Sequence, residues 1–179
     1  MVSRKRRSMD AELVTTAITA DEGDRVELHG LGIVWKVDGV ASEGRFSVVH
    51  HPLAPRTLAA PLHRHSREDE FSYVLTGTLG ALLGDDVLTA EPGTWVFKPR
   101  NQWHTFWNAG DVPCEIIEII SPAGFECFFR ELADVYAADG EPDLARFAGL
   151  CESYGLEMDP GSVPGLCERF GLSHPLASE

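Results

Sequence analysis

The stretch Pro61-Leu62-His63-Arg64-His65-Ser66-Arg67-Glu68-Asp69-Glu70-Phe71 decides how this chain is read. His63 and His65 are separated by one residue. On a β-strand, side chains at i and i+2 point to the same face, so both imidazoles present nitrogens to a common point. Glu70 lies five residues beyond His65, far enough for a turn to bring its carboxylate back. His104, in Pro99-Arg-Asn-Gln-Trp-His104, comes from a later strand. Three neutral imidazoles and one carboxylate suit a divalent transition metal with positions left for water or substrate. Taken singly, each residue has a plainer role. His63 and His65 fit a polar strand edge beside Arg64 and Arg67, Glu70 fits the acidic run Glu68-Asp69-Glu70, and His104 fits a packed site between Trp103 and Phe106.

Outward from this stretch, the pattern is one of short β-branched and aromatic runs cut by turn residues. Ile33 to Val37 is one run, and Arg45 to His51, stopped by Pro52 and Pro55, is another. Phe71 to Leu75 ends at Thr76-Gly77. Leu79 to Leu83 and Val87 to Ala90 flank Gly84-Asp85-Asp86, which reads as a hairpin turn. Trp95 to Lys98, Trp103 to Trp107 and Cys114 to Ile120 follow. Strands this short and this frequent predict an all-β sandwich or barrel, with no room for the crossover helices of a parallel sheet. Past Ser121-Pro122 the period changes. Phe125, Phe128, Phe129, Leu132, Ala133 and Tyr136 recur at helical spacing, and Gly140-Glu141-Pro142 breaks the pattern. Leu144, Phe147, Ala148, Cys151 and Tyr154 resume it, with Gly155 as the stop. Leu150-Cys-Glu-Ser-Tyr-Gly-Leu156 is echoed by Leu166-Cys-Glu-Arg-Phe-Gly-Leu172, which reads as two short helices ended by the same glycine stop.

The histidine positions resemble the two signature motifs of the cupin superfamily. The first is G-x5-HxH-x3-4-E-x6-G, matched by His63, His65, Glu70 and Gly77, with Thr57 in place of the opening Gly. The second is G-x5-PxG-x2-H-x3-N, matched by Gly93, Pro99, His104 and Asn108, with Asn101 in place of the middle Gly. Asn tolerates left-handed backbone angles better than most residues, so the turn survives. The resemblance covers about residues 45 to 121. It implies a double-stranded β-helix, a jelly-roll barrel with the metal inside near one mouth. It also implies that His63, His65, Glu70 and His104 are the metal ligands. The metal is then one divalent ion among iron, manganese, nickel, copper, cobalt and zinc, all of which accept mixed His/carboxylate sets.

Alternation within such a barrel places Ser72 and Val74 inward with Glu70, and Phe106 and Asn108 inward with His104, so these four are expected to line the cavity. Trp103, Thr105 and Trp107 then face the other way. Glu118, amid Ile116-Ile117-Glu118-Ile119-Ile120, is either an outward position or a cavity group; the cost of a lone buried carboxylate favours outward. His50 and His51 are adjacent, so at most one approaches the cavity, and surface or packing roles are expected for both.

The chain has 179 residues, 15 Lys+Arg against 28 Asp+Glu, and a formal net charge of −13. Arg4, Lys5, Arg6 and Arg7 carry four of the basic charges, leaving 11 against 28 acids elsewhere. So acidic a body repels phosphate backbones, which argues against nucleic acid as a partner. No apolar run approaches the ~20 residues of a membrane span. Cys114, Cys127, Cys151 and Cys167 form no CxxC pair. Without a signal peptide they read as reduced thiols in a cytoplasmic protein. The expected division is an N-terminal segment, partly disordered, over 1–22; a barrel over 23–122; and helices over 123–179 packed on the barrel or on a second subunit.

By its resemblance to small quercetin dioxygenase-like cupins, the chain is expected to be a mononuclear metal-dependent oxygenase acting on a small hydroxylated or enolic compound. Glu70 would serve both as ligand and as catalytic base. A metal-dependent isomerase or lyase, and a metal-dependent binding or sensing protein without turnover, are the alternatives. A homodimer is expected, because an open antiparallel barrel has strand edges that need cover and Trp35, Trp107 and the C-terminal helices are available to cover them.

Overall fold

A computed structural model describes residues 17–136 and 143–178. Arg4 to Arg7 and Gly140-Glu141-Pro142 lie outside the described residues. Among the described residues there are eleven strands: β1 (Arg25–Leu28), β2 (Leu31–Val37), β3 (Ser47–Leu53), β4 (Leu62–His65), β5 (Asp69–Thr76), β6 (Leu79–Leu83), β7 (Asp86–Ala90), β8 (Trp95–Lys98), β9 (His104–Asn108), β10 (Cys114–Ser121) and β11 (Leu156–Asp159). The helices are α1 (Glu126–Tyr136), α2 (Leu144–Tyr154) and α3 (Val163–Phe170). The strands form two antiparallel sheets, ordered β1-β2-β3-β10-β5-β8 and β11-β4-β9-β6-β7. The architecture is a jelly roll with a C-terminal helical part.

Alternation explains most of the pairing. In β10, Cys114, Ile116, Glu118 and Ile120 are buried and the residues between them are half-buried, so one face lies against the core. β5 repeats this with Glu70, Ser72 and Val74 inward, and pairs with β10 so that Glu118 sits opposite Ser72 and Ile120 opposite Glu70. Pro52 does not stop β3. Its missing N–H forfeits one donor, but Leu53 beyond it still pairs with Leu31 and Cys114.

The helical part builds on the second sheet. Gly155 ends α2 in the left-handed region at φ 64°, and the chain then runs directly into β11. That strand pairs with β4, setting Leu156 opposite His65 and Met158 opposite His63. A four-residue Leu-Glu-Met-Asp segment between helices carries too little pattern to be read as a strand. It nonetheless covers an edge of the sheet that holds the paired histidines. α3 covers the outer face of β9: Trp107 stacks on Phe170 at 4.4 Å and packs with Leu58, Val163 and Leu166. Gly80 lies against the Trp107 ring so closely that a Cβ there would collide with it. The outward residues of β9 are thus buried too, beneath a helix rather than in the barrel.

Trp35 and Trp107, expected to be available to a second subunit, are used within the chain. Trp35 Nε1 donates to the Glu126 carbonyl at 2.8 Å, and the Arg130 guanidinium lies 4.0 Å over its ring. Glu126 in turn accepts from the Gly39 and Gly124 N–H groups at 2.8 and 2.6 Å, fixing the start of α1 against the β2–β3 connection.

Asn108 is fully buried, but its side chain is consumed by backbone and does not line the cavity. Nδ2 donates to the carbonyls of Leu53, Ala54 and Val112, and Oδ1 accepts from Gly110 N–H at 2.9 Å. It ties β9 to the end of β3 and to the following turn. Replacing Asn108 with Leu leaves these groups unmatched and is expected to lower unfolding stability by about 2–4 kcal/mol. A urea midpoint equal to that of the parent would show that the amide is dispensable.

Candidate metal centre

Two strands of one sheet and one strand of the other supply the site. His63 and His65 point inward from β4, and both are buried. β9 pairs with β4 so that His104 lies directly opposite His63. Glu70 faces them from β5 in the opposing sheet. One ligand atom from each of the four residues can be chosen so that all lie within 4.8 Å of one another. The turn before β9 depends on Asn101, which adopts φ 64° and donates its N–H to the His65 carbonyl at 2.7 Å. The left-handed turn expected of Asn in place of Gly is therefore present. Thr57, at the other missing Gly, has no such angle; the positive φ of 55° falls on Arg56.

The ring nitrogens are oriented for a shared occupant. His63 Nδ1 bonds the Pro61 carbonyl at 2.8 Å and His104 Nδ1 bonds the Gln102 carbonyl at 3.0 Å. A carbonyl only accepts, so each Nδ1 carries the proton and each Nε2 offers a lone pair. His104 Nε2 and both ring nitrogens of His65 are buried without a hydrogen-bond partner. Glu70 approaches them with Oε1 3.5 Å from His65 Nε2 and Oε2 3.3 Å from His104 Nε2. Buried polar atoms without partners are costly, and a divalent cation at their common centre would satisfy them. The residues therefore fit a metal ion by their own chemistry, and they could bind one.

Electrostatics agree. Burial, aided by the neighbouring imidazoles, pushes His63 well below its ordinary value. Burial also lowers His65 to about 4 against the pull of Glu70. Both rings are then neutral near pH 7, as metal ligation requires. Burial works against ionised Glu70, but Lys98, His65 and His104 outweigh it and hold the carboxyl well below the usual carboxylate range.

Three inward residues stand around this cluster that sequence reasoning did not place there. Glu118, expected outward, is buried: Oε2 accepts from Ser72 Oγ at 2.8 Å and pairs with Lys98 Nζ at 2.8 Å. Lys98, also buried, lies 3.0 Å from Glu70 Oε2 and 4.5 Å above the Phe106 ring. Burial raises Glu118 to about 7 despite Lys98. His51 is the third, with Nδ1 on the Gly32 carbonyl at 2.8 Å and its pKa lowered to about 4 by burial. The in-phase position of Glu118 with Ile116 and Ile120 was the available signal.

A cavity of about 50 Å³ adjoins the cluster, lined by His51, His63, Glu70 and Glu118 on the polar side. Phe106, Phe125, Phe128 and Phe129 supply much of the rest. Of the residues expected to line it, Phe106 does. Ser72 instead supports Glu118, and Val74 is buried in the main core.

The comparisons with known proteins agree with this geometry. Residues 49–120 match the Cupin_2 family, a cupin domain. The chain is similar to the alginate biosynthesis protein AlgA of Pseudomonas aeruginosa, 30% identical over 153 residues, which is 83% of this chain and 31% of that one. It thus spans about a third of the length of the curated relative it matches. KdgF from Halomonas sp. has a similar structure, with TM-score 0.56 and 16% identity over 64% of this chain and 99% of that one. So does a sugar phosphate isomerase of the cupin superfamily from Silicibacter pomeroyi, with TM-score 0.51 and 22% identity over 59% of this chain and 75% of that one. The barrel of this chain is a cupin domain.

Two predictions follow from the site. His63→Ala and His104→Ala should each abolish metal retention in elemental analysis while far-ultraviolet circular dichroism still shows a folded barrel. Unchanged metal content in both variants contradicts the ligand set. The metal-free protein should also lose stability as pH falls from 6.5 towards 4. His51, His63 and His65 are held below their unfolded pKa, so the unfolded chain binds the extra protons, at about 3 kcal/mol for His51 alone. Glu118, raised above its unfolded value, works the opposite way and offsets about one histidine. Urea unfolding that shows flat or rising stability over this range contradicts the assignment.

Proposed function

We propose that this cupin is a mononuclear metal-dependent enzyme, an oxygenase acting on a small hydroxylated or enolic compound. His63, His65, Glu70 and His104 would hold the ion. When bound, it supplies Lewis acidity and, for a redox-active metal, electron transfer. The observation that carries this reading is the setting of the four-ligand cluster. It opens onto a cavity walled by phenylalanines, and among the described residues no Lys or Arg lines that cavity.

The chain's own residues divide the remaining work. The phenylalanine wall excludes water from the reacting atoms. Lys98 and Glu118 hold Glu70 from behind, so that its carboxylate keeps a fixed aim at the histidines. His51, tied back to Gly32, presents Nε2 as an acceptor for a substrate hydroxyl. Glu70 alone of the two cavity carboxylates approaches the cluster nitrogens, so it is best placed to take a substrate proton other than the one His51 accepts.

A second reading, an isomerase or lyase of a small hydroxylated compound, is favoured by the buried Lys98–Glu118 pair and by His51. Glu118 and His51 line the same cavity, and Lys98 holds Glu118 from behind. A sugar phosphate isomerase shares the fold, but a phosphorylated substrate needs cations, and among the described residues no Arg or Lys lines the cavity.

Oxygen consumption by the metal-loaded protein, measured against a panel of enols and catechols, separates the readings. Uptake with one compound class supports the oxygenase. Conversion without oxygen uptake moves the assignment to isomerase or lyase, and tight binding without conversion to a sensing protein.

A further inference from the structure

Beside the phenylalanine-walled cavity lies a larger chamber of about 290 Å³. It occupies the space between β1, β2, the segment before β4 and the helices α1 and α2. Leu31, Ala60, Phe128, Phe129 and Met158 line both spaces, so the two are neighbours across one wall of side chains. The far side is formed by Leu132 and Val135 of α1, and by Leu144 and Phe147 of α2. Among the described residues, His29 and His174 are the only titratable ones lining it. Burial lowers His174 to about 4, which leaves it neutral near pH 7. The chamber is near the lower end of the volumes that hold small organic ligands.

The cupin motif does not account for this chamber. Phe128, Phe129, Leu132 and Phe147 come from helices outside the matched barrel, and Met158 comes from the strand that α2 delivers onto β4. The helical part thus sets what can reach the ligand cluster. Its apolar lining, without Lys or Arg among the described residues, would desolvate a phosphate or carboxylate without compensation, and it would not match the hydroxyls of a sugar.

We propose that this chamber seats the apolar body of the substrate, and that the substrate is a neutral, ring-sized compound. Its single hydroxyl or enol group passes the Phe128–Phe129–Met158 wall to meet His51 and the ligand cluster. This rests on the metal-dependent reading above and adds the substrate class to it. His51 contributes specificity. Its Nδ1–H is spent on the Gly32 carbonyl, so Nε2 accepts a hydroxyl proton and rejects an anion's oxygen. Phe129 meets the His51 ring edge-on at 5.5 Å, placing the wall and the acceptor side by side.

The test is calorimetric titration of the full-length protein with 2-naphthol, naphthalene and glucose 6-phosphate, with the metal content of each sample measured. 2-Naphthol should bind at least tenfold more tightly than glucose 6-phosphate and several-fold more tightly than naphthalene. Leu132→Trp, which fills the chamber, should weaken 2-naphthol at least tenfold without changing metal content. Leu144→Trp, at a rim position 77% exposed and so tolerant of bulk, should weaken it at least threefold. His51→Leu should remove the preference for 2-naphthol over naphthalene. Glucose 6-phosphate binding as tightly as 2-naphthol overturns the proposal, as does 2-naphthol binding unchanged in both Trp variants. Failure of 2-naphthol to bind protein that retains its metal overturns the chamber assignment alone. Binding by protein that retains no metal supports the chamber and overturns the metal reading.

Discussion

Three imidazoles and a carboxylate are buried together between the two sheets, and several of their ring nitrogens have no hydrogen-bond partner among the described residues. Such an arrangement is unfavourable unless something positive occupies the centre. The surrounding structure supports that concentration of lone pairs. The β4–β9 pairing sets His63 opposite His104, the Asn101 turn joins the end of β8 to the start of β9, and β11 covers the edge of β4. Lys98, in the same sheet as Glu70 and Glu118, balances both carboxylates. The barrel is thus held by apolar burial, while its register serves the polar cluster within.

The helical part follows from the same constraint. A cluster of this kind near a barrel mouth would be open to water. Phe125, just before α1, lies edge-on to His65 at 4.3 Å, and α1 adds Phe128 and Phe129 behind it. α2 then returns the chain as β11, whose Leu156 and Met158 sit opposite His65 and His63. The helices make a dry enclosure for a site that the barrel supplies. They also lower the local dielectric around Glu70 and Lys98, which strengthens that ion pair.

The paired histidines were legible in the sequence because alternation on a strand has period two, and His104 was legible from its spacing to Pro99 and Asn108. Glu70 could be placed from its spacing to His65 and Gly77. The stops of α2 and α3 could be read from Gly155 and Gly171, both left-handed at φ 64°. Glu118, Lys98 and His51 were not legible as a group. Their burial depends on one another across three strands, and a carboxylate judged alone is rightly predicted to avoid the interior. Asn108 shows the opposite error: alternation gave its face correctly but not its depth along the barrel, where carbonyls of β3 and the next turn claim its side chain. β11 escaped notice because its pairing with β4 comes from 90 residues away and its own four residues carry little periodicity.

The central claim is that the buried cluster holds one metal ion. Anomalous diffraction from a crystal of protein loaded with a divalent transition metal tests it most directly. The account predicts a single strong peak within coordinating distance of His63, His65, Glu70 and His104. A crystal whose only peak lies elsewhere, or one in which the four side chains surround no anomalous density after loading, would contradict it.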